Sequence, residues 1–187
     1  MNLAKSLQNI QPSYIREILD AACAPGVISL VGGLPANDKF PLELMAKSLK
    51  DLPNRPELFQ YGNTAGYAPL LAHFREHYQL LSSHEGIVCT GSQQGLDLIA
   101  RSFINPGDTI VMEAPSYLGA IQVFSLAQAN IESISQRCDG PDLDELETCF
   151  ATSDVTLFYA VPDFHNPTGV SLVFSSTPTG RFLVSEI

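Results

Sequence analysis

Ile87-Val88-Cys89-Thr90-Gly91-Ser92-Gln93-Gln94-Gly95-Leu96 decides how the rest of the chain is read. An apolar run reaches a Gly-Ser turn, and a helical face follows at Leu96, Ile99, Ala100 and Phe103. That spacing is one side of an amphipathic helix. A strand over about 86–90 that feeds a helix leaves free backbone N–H groups and a positive dipole end at one spot. Such a spot attracts phosphate.

Working outward, strand and helix signals alternate. Thr109-Ile110-Val111-Met112-Glu113 reads as the next strand, after the turn Asn105-Pro106-Gly107-Asp108. A helix starting near Ser116 carries Leu118, Ile121, Phe124 and Leu126, and Asn130 is expected to end it in a left-handed conformation. A strand over about 131–135 follows, then a helix marked by Leu143, Leu146 and Phe150 with Asp142 as its N-cap. Val155-Thr156-Leu157-Phe158-Tyr159-Ala160-Val161 is an unbroken run suited to a parallel strand buried on both faces. The class is α/β with a mainly parallel sheet, whose ligands gather at the carboxyl ends of the strands. Gly91-Ser92, Tyr117 and His165-Asn166 all follow strand ends.

The N-terminal part is more helical. Tyr14, Ile15, Ile18 and Leu19 mark an arm helix stopped by Pro25-Gly26. Val27–Val31 leads into Gly32-Gly33-Leu34-Pro35, where a backbone can approach a ligand or simply turn. Pro41 opens a helix with Leu42, Met45, Leu49 and Leu52. Tyr67, Leu70, Leu71, Phe74, Tyr78 and Leu81 mark a longer one, whose aromatics are expected in the core.

Composition sets bounds. The apolar fraction is 45% and the charged fraction 16%, which fits a globular protein of one or two small domains. A formal net charge of -10 and the lack of a basic patch argue against nucleic acid. Cys23, Cys89, Cys138 and Cys149 form no CxxC pair and are expected as buried free thiols, with no metal. No signal-type or membrane-length apolar run occurs, so a cytoplasmic location is expected. A nucleotide-binding module is disfavoured. The Walker loop needs a lysine that the turn lacks, and Gly91-Ser92-Gln93-Gln94-Gly95 does not have dinucleotide spacing.

One further stretch is more specific than any turn: Ala160-Val161-Pro162-Asp163-Phe164-His165-Asn166-Pro167-Thr168-Gly169. Asn166-Pro167-Thr168-Gly169 closes a buried strand. Four other stretches accompany it: Ser29–Pro35, Gln60-Tyr61-Gly62, Thr90–Leu96 and Glu113-Ala114-Pro115-Ser116-Tyr117. Together they resemble fold-type I pyridoxal-phosphate aminotransferases of class I/II, closest to the 2-aminoadipate, kynurenine and aromatic aminotransferase branch. The resemblance runs from about residue 10 to residue 170.

That resemblance implies a set of roles. Ser92 and Gln93 hold the cofactor phosphate. Tyr117 stacks on the pyridine ring, and Asn166 bonds the ring's phenolic oxygen. Tyr61 reaches the phosphate of a partner subunit, because the family forms homodimers with shared sites. Gly33 lies against the substrate's main-chain end, and Arg16 is an arm residue that touches substrate. The substrates are an amino acid and a 2-oxo acid. Two small departures occur: His165 stands where relatives often carry glutamine, and Leu71 where an arginine is common. A lone histidine is usually structural, and His165 is assigned no catalytic role.

The larger departure is one of content. Transamination needs a lysine for the internal Schiff base, an acid beside the pyridine nitrogen and, in this family, an arginine for the substrate carboxylate. The only lysines are Lys5, Lys39, Lys47 and Lys50, all before the phosphate-type turn. Residues 170–187 contain no lysine and no aspartate, and Glu186 and Arg181 sit in no matching motif. The expectation is therefore an N-terminal arm and partial small domain over residues 1–52. An incomplete pyridoxal-phosphate-binding large domain follows over 53–170, and an aberrant or truncated tail over 171–187. No catalytic residue can be assigned. The strand over 86–90 is expected to lack its usual neighbour. The expected activity is that of an impaired or inactive aminotransferase fragment. The alternative is a non-enzymatic partner, or a fragment that complements a full-length homologue.

Overall fold

The computed structural model describes residues 36–172 together with residues 4, 7, 18 and 25–28. The arm face at Tyr14, Ile15 and Leu19, the Gly32–Pro35 turn, Cys23 and the tail from residue 173 lie outside the described residues. The chain divides into two compact units, Gln11–Val88, and Cys89–Ile187 with Met1–Ile10.

The larger unit is built on four strands in the order β3-β2-β1-β4. They are β1 (Thr109–Ala114), β2 (Asn130–Arg137), β3 (Gly140–Pro141) and β4 (Val155–Tyr159). β1 lies between β2 and β4 and is parallel to both. Thr109 registers with Asn130 and Met112 with Tyr159. The exception to parallel pairing is β3, which turns back antiparallel on β2 through Gln136–Pro141 and Arg137–Gly140. The α/β class and mainly parallel sheet of the sequence reading are found.

Three helices serve this sheet: α3 (Gly91–Phe103), α4 (Leu118–Leu126) and α5 (Leu143–Thr152). β1 is apolar at successive positions because both its faces are covered. Ile110 and Met112 join Ala100 of α3 and Ala120, Val123 and Phe124 of α4 in one core. Val111, with Ile134 and Leu146, forms the other, against α5. Phe124 meets Tyr159 edge-on, with ring centroids 5.8 Å apart. Burial of such side chains is worth about 1.5–3 kcal/mol each.

Several boundaries and burials differ from the sequence reading. Residues 84–89 form no ladder, so residues 86–90, expected as a strand lacking its usual neighbour, belong to no sheet among the described residues. An apolar run becomes a strand only when another backbone takes its hydrogen bonds. β4 stops at Tyr159 and is half-buried rather than covered on both faces, because only β1 pairs with it among the described residues. The left-handed residue after α4 is Gln128 (φ 62), while Asn130 already belongs to β2. Phe103 is exposed, since the chain leaves the helix there and Ile104 turns into the core instead. Leu143 and Phe150 of α5 also face outward, and its inner face is Leu146 and Cys149. Among the thiols, Cys138 is exposed and Cys89 and Cys149 are half-buried, all free.

Asp142 does cap α5: its carboxylate accepts from the N–H groups of Asp144 and Glu145. Arg137 Nε donates to the same carboxylate at 2.8 Å. The Arg137 guanidinium, with help from those two N–H groups, holds the Asp142 carboxyl below the usual carboxylate range. A lowered native value means that this stability is present above the unfolded pKa of about 3.9 and is lost as pH falls through the native one. Asp142→Asn keeps a capping oxygen but removes the charge. Melting temperature followed from roughly pH 5 to pH 2 should therefore fall less steeply in this variant. Equal slopes would remove Asp142 from the account of acid sensitivity.

The smaller unit carries α1 (Leu42–Asp51) and α2 (Ala68–His77), joined through short 3-10 turns. Pro41 precedes α1 as its N-cap rather than opening it. Leu42, Met45 and Leu49 are exposed. Tyr67, Phe74 and Tyr78, expected in the core, are also more than a third exposed. Helical periodicity marks a face for burial but does not supply what covers it. Arg55 ties the turn to α2, donating to Glu57 Oε1 and to the Tyr67 hydroxyl, both at 3.0 Å. No helix among the described residues is long and apolar enough to cross a membrane.

Candidate functional site

The site sits where the chain leaves the carboxyl ends of β1 and β4 and where α3 begins. Gly91 opens α3 with φ +74, a left-handed conformation that costs glycine little. Thr90, the N-cap, makes no side-chain capping bond. The Thr90 N–H instead donates to Gln94 Oε1. The N–H groups of the first turn of α3 have no intrahelical acceptor, and Ser92 and Gln93 are exposed beside them.

Gln93 carries the link to the next element. Its Nε2 donates to the Gly119 carbonyl at 3.1 Å, and its Oε1 faces the Tyr117 hydroxyl at 3.5 Å. Tyr117 is the N-cap of α4 and comes directly after the Glu113–Ser116 stretch at the end of β1. Gly119 closes the group. A Cβ there would lie 2.5 Å from Gln93 Oε1 and 2.6 and 2.7 Å from Cε1 and Cζ of Tyr117. Gln93, Tyr117 and Gly119 thus interlock, and the absence of a side chain at 119 makes the interlock possible.

Behind Tyr117 the strand ends are polar and buried. Tyr159 ends β4; burial first, then its neighbours Tyr117 and Glu113, push its hydroxyl up to about 12. It stays protonated at neutral pH. Glu113 and His165 are both almost fully buried, with His165 Nε2 3.6 Å from Glu113 Oε2. The Asn166-Pro167-Thr168-Gly169 turn is closed by two backbone bonds, His165 N–H to Val170 O at 2.8 Å and Gly169 N–H to His165 O at 2.6 Å. Asn166 itself is exposed on that turn.

Of the residues singled out from sequence, Ser92, Gln93 and Tyr117 come together at the start of α3. Asn166 lies on the loop that follows β4, beyond the carboxyl end of that strand. Tyr61 belongs to the smaller unit, where its side chain is fully exposed. Gly33 and Arg16 lie outside the described residues. The sequence reading missed Gly119, Tyr159 and Glu113 as site residues and gave His165 a structural reading with no catalytic role. Glu113 carried a signal, since an acid in an otherwise apolar strand needs a reason. Gly119 carried none, because its constraint comes from side chains distant in sequence.

The family model for aminotransferase class I and II matches residues 26–174. This chain belongs to that family. It is 41% identical over 167 residues to the 2-aminoadipate transaminase of Thermus thermophilus, covering 88% of this chain and 42% of that protein. It is also 41% identical over 175 residues to aromatic-amino-acid aminotransferase 1 of Thermococcus litoralis, covering 87% and 42%. Among solved structures, the alpha-aminoadipate aminotransferase LysN of Thermus thermophilus matches with a TM-score of 0.78 at 38% identity, over 90% of this chain and 42% of that one. That structure holds N-(5'-phosphopyridoxyl)-L-leucine. The kynurenine aminotransferase of Pyrococcus horikoshii matches with a TM-score of 0.82 at 33% identity, over 91% and 45%. This aminotransferase chain therefore spans less than half the length of the relatives it matches.

Proposed function

We propose that these residues form the phosphate-holding and ring-holding part of a pyridoxal-phosphate-dependent aminotransferase that moves an amino group from an amino acid to a 2-oxo acid. The observation that carries this reading is the Gln93–Tyr117–Gly119 interlock at the open start of α3. The residues present fit such a cofactor. The helix start offers N–H donors and a positive dipole end to a phosphate, and the Ser92 hydroxyl adds a donor. Gln93 fixes Tyr117 in one orientation, so that its aromatic face is ready for a flat ring. Asn166, beyond the carboxyl end of β4, supplies an amide donor for an oxygen on that ring. When bound, the cofactor supplies an electron sink for the carbon that loses its proton. The chain's part is to bind it, orient it and keep it from rotating.

The proposal extends to roles and context. Tyr61, Gly33 and Arg16 are assigned to a partner subunit's phosphate and to substrate, in a cytoplasmic homodimer. No lysine follows the phosphate-type turn in these 187 residues, where the family resemblance expects the one that joins the cofactor. By themselves they are proposed to bind the cofactor weakly and not to transaminate.

Binding of pyridoxal phosphate, followed by quenching of the chain's tyrosine fluorescence and by cofactor absorbance, tests the reading. Gly119→Ala must push the Tyr117 ring or Gln93 aside, with overpacking worth about 1–3 kcal/mol. Affinity should drop by roughly tenfold, since 1.4 kcal/mol is a factor of ten. Tyr117→Ala should weaken binding in the same direction. Unchanged affinity in both variants, with folding intact, would refute this placement.

A further inference from the structure

Among the described residues, three buried side-chain polar atoms have no hydrogen-bond partner: Glu113 Oε2, His165 Nε2 and Ser116 Oγ. The first two face each other at 3.6 Å, slightly beyond hydrogen-bond length. Both side chains are about 1% exposed, so bulk solvent does not reach them. Their other atoms are already engaged. Glu113 Oε1 accepts from Gln136 Nε2 of β2 at 3.0 Å. His165 Nδ1 lies 3.0 Å from Thr168 Oγ1. Thr168 Oγ1 in turn accepts from the Val170 N–H at 3.4 Å.

Proton counting then selects an arrangement. A carboxylate oxygen can only accept, so the nitrogen facing it must bring the hydrogen. A bare Nε2 would set two lone pairs against each other in a buried site, where unpaired polar atoms are most costly. With the proton on Nε2, Thr168 can donate its hydroxyl hydrogen to Nδ1 and still accept from Val170. A shift of a few tenths of an ångström brings the Nε2–Oε2 contact within bonding distance. The chain of bonds then runs from Gln136 on β2 through Glu113 on β1 to His165, Thr168 and Val170. It crosses from the sheet into the turn that displays Asn166.

We propose that His165 is a positioning residue: its Nε2–H donates to buried Glu113 and clasps the Asn166 turn to the end of β1. The clasp follows from the contacts above. Its service to a cofactor ring through Asn166 rests on the function proposed in the preceding subsection.

The test is nitrogen NMR of the full chain labelled with 15N-histidine, which reads the protonated ring atom directly. In the wild-type chain the His165 proton is expected on Nε2. In Glu113→Gln the new amide can donate to Nε2 while its oxygen keeps Gln136, so the ring proton should move to Nδ1. A purely packing role would not move it. Hydrogen exchange of the His165 and Gly169 amides gives a second reading. Exchange should quicken about tenfold in His165→Leu, which loses both ring bonds, and stay near wild type in His165→Gln, which keeps a donor for Glu113. A wild-type ring without a proton on Nε2 overturns the clasp, as does equal exchange in the Leu and Gln variants. Pyridoxal phosphate affinity separates the two proposals. If the proton shift and exchange behave as expected but affinity is the same in the wild-type chain and all three variants, the clasp stands and the assignment of Asn166 to the cofactor fails.

Discussion

Phe124→Ala is expected to destabilise the larger unit by about 3–5 kcal/mol, the usual range for emptying a fully buried phenylalanine site. Phe124 is 0% exposed. It lies among Ala100, Ile110, Met112, Ala120 and Val123, so its removal leaves a hole bounded by α3, α4 and β1. These neighbours are small or held by the sheet and cannot collapse far into the space. The variant also removes the edge contact to Tyr159. Since a domain's whole stability is about 5–15 kcal/mol, the loss is a large share of it. Phe103→Ala is the control. That side chain is 64% exposed at the end of α3, and its loss should stay within about 0.5 kcal/mol. Urea unfolding followed by circular dichroism gives both values. Similar midpoints for the two variants would mean that the α3–α4–sheet core is not what holds this unit together.

The contrast between these two phenylalanines shows what the sequence could carry. Both lay on apolar helical faces by spacing, and only tertiary structure separates them. Features set by neighbouring residues were legible: the Asp142 cap, the central strand Thr109–Ala114 and the helix starting after Thr90. They depend on side chains that reach their own backbone or on a short periodic run. Residues 86–90, expected as a strand lacking its usual neighbour, form no ladder among the described residues, because pairing is a property of two segments. The site divides in the same way. Ser92, Gln93, Tyr117 and Asn166 stood in recognisable stretches. The interlock at Gly119 and the Glu113–His165 contact depend on residues far apart in sequence, and no local pattern announces them. His165 drew a structural reading because an isolated imidazole in a sequence shows neither its burial nor its partner.

The polypeptide of residues 1–187, given pyridoxal phosphate, an amino donor and a 2-oxo acid, should show no measurable transamination. Borohydride reduction should leave no stoichiometric adduct at a single lysine. The reason is positional. The only lysines, Lys5, Lys39, Lys47 and Lys50, all precede the phosphate-type turn in sequence. On the proposed function, residues 1–187 hold no amine at the cofactor's reactive carbon and would supply neither the covalent anchor nor the base that moves the proton. A positioned general base alone contributes about 10²–10⁴-fold. The binding and orientation proposed for Ser92, Gln93, Tyr117 and Asn166 would not replace it, because they would act equally before and during proton transfer. The informative companion experiment adds, as a separate polypeptide, the portion of the Thermus 2-aminoadipate transaminase to which this chain does not align. Recovery of turnover, with a borohydride adduct confined to the added polypeptide, would favour the complementing role. A site-specific adduct on Lys5, Lys39, Lys47 or Lys50, with turnover by this chain alone, would overturn the claim that these residues hold a cofactor but lack the chemistry to use it.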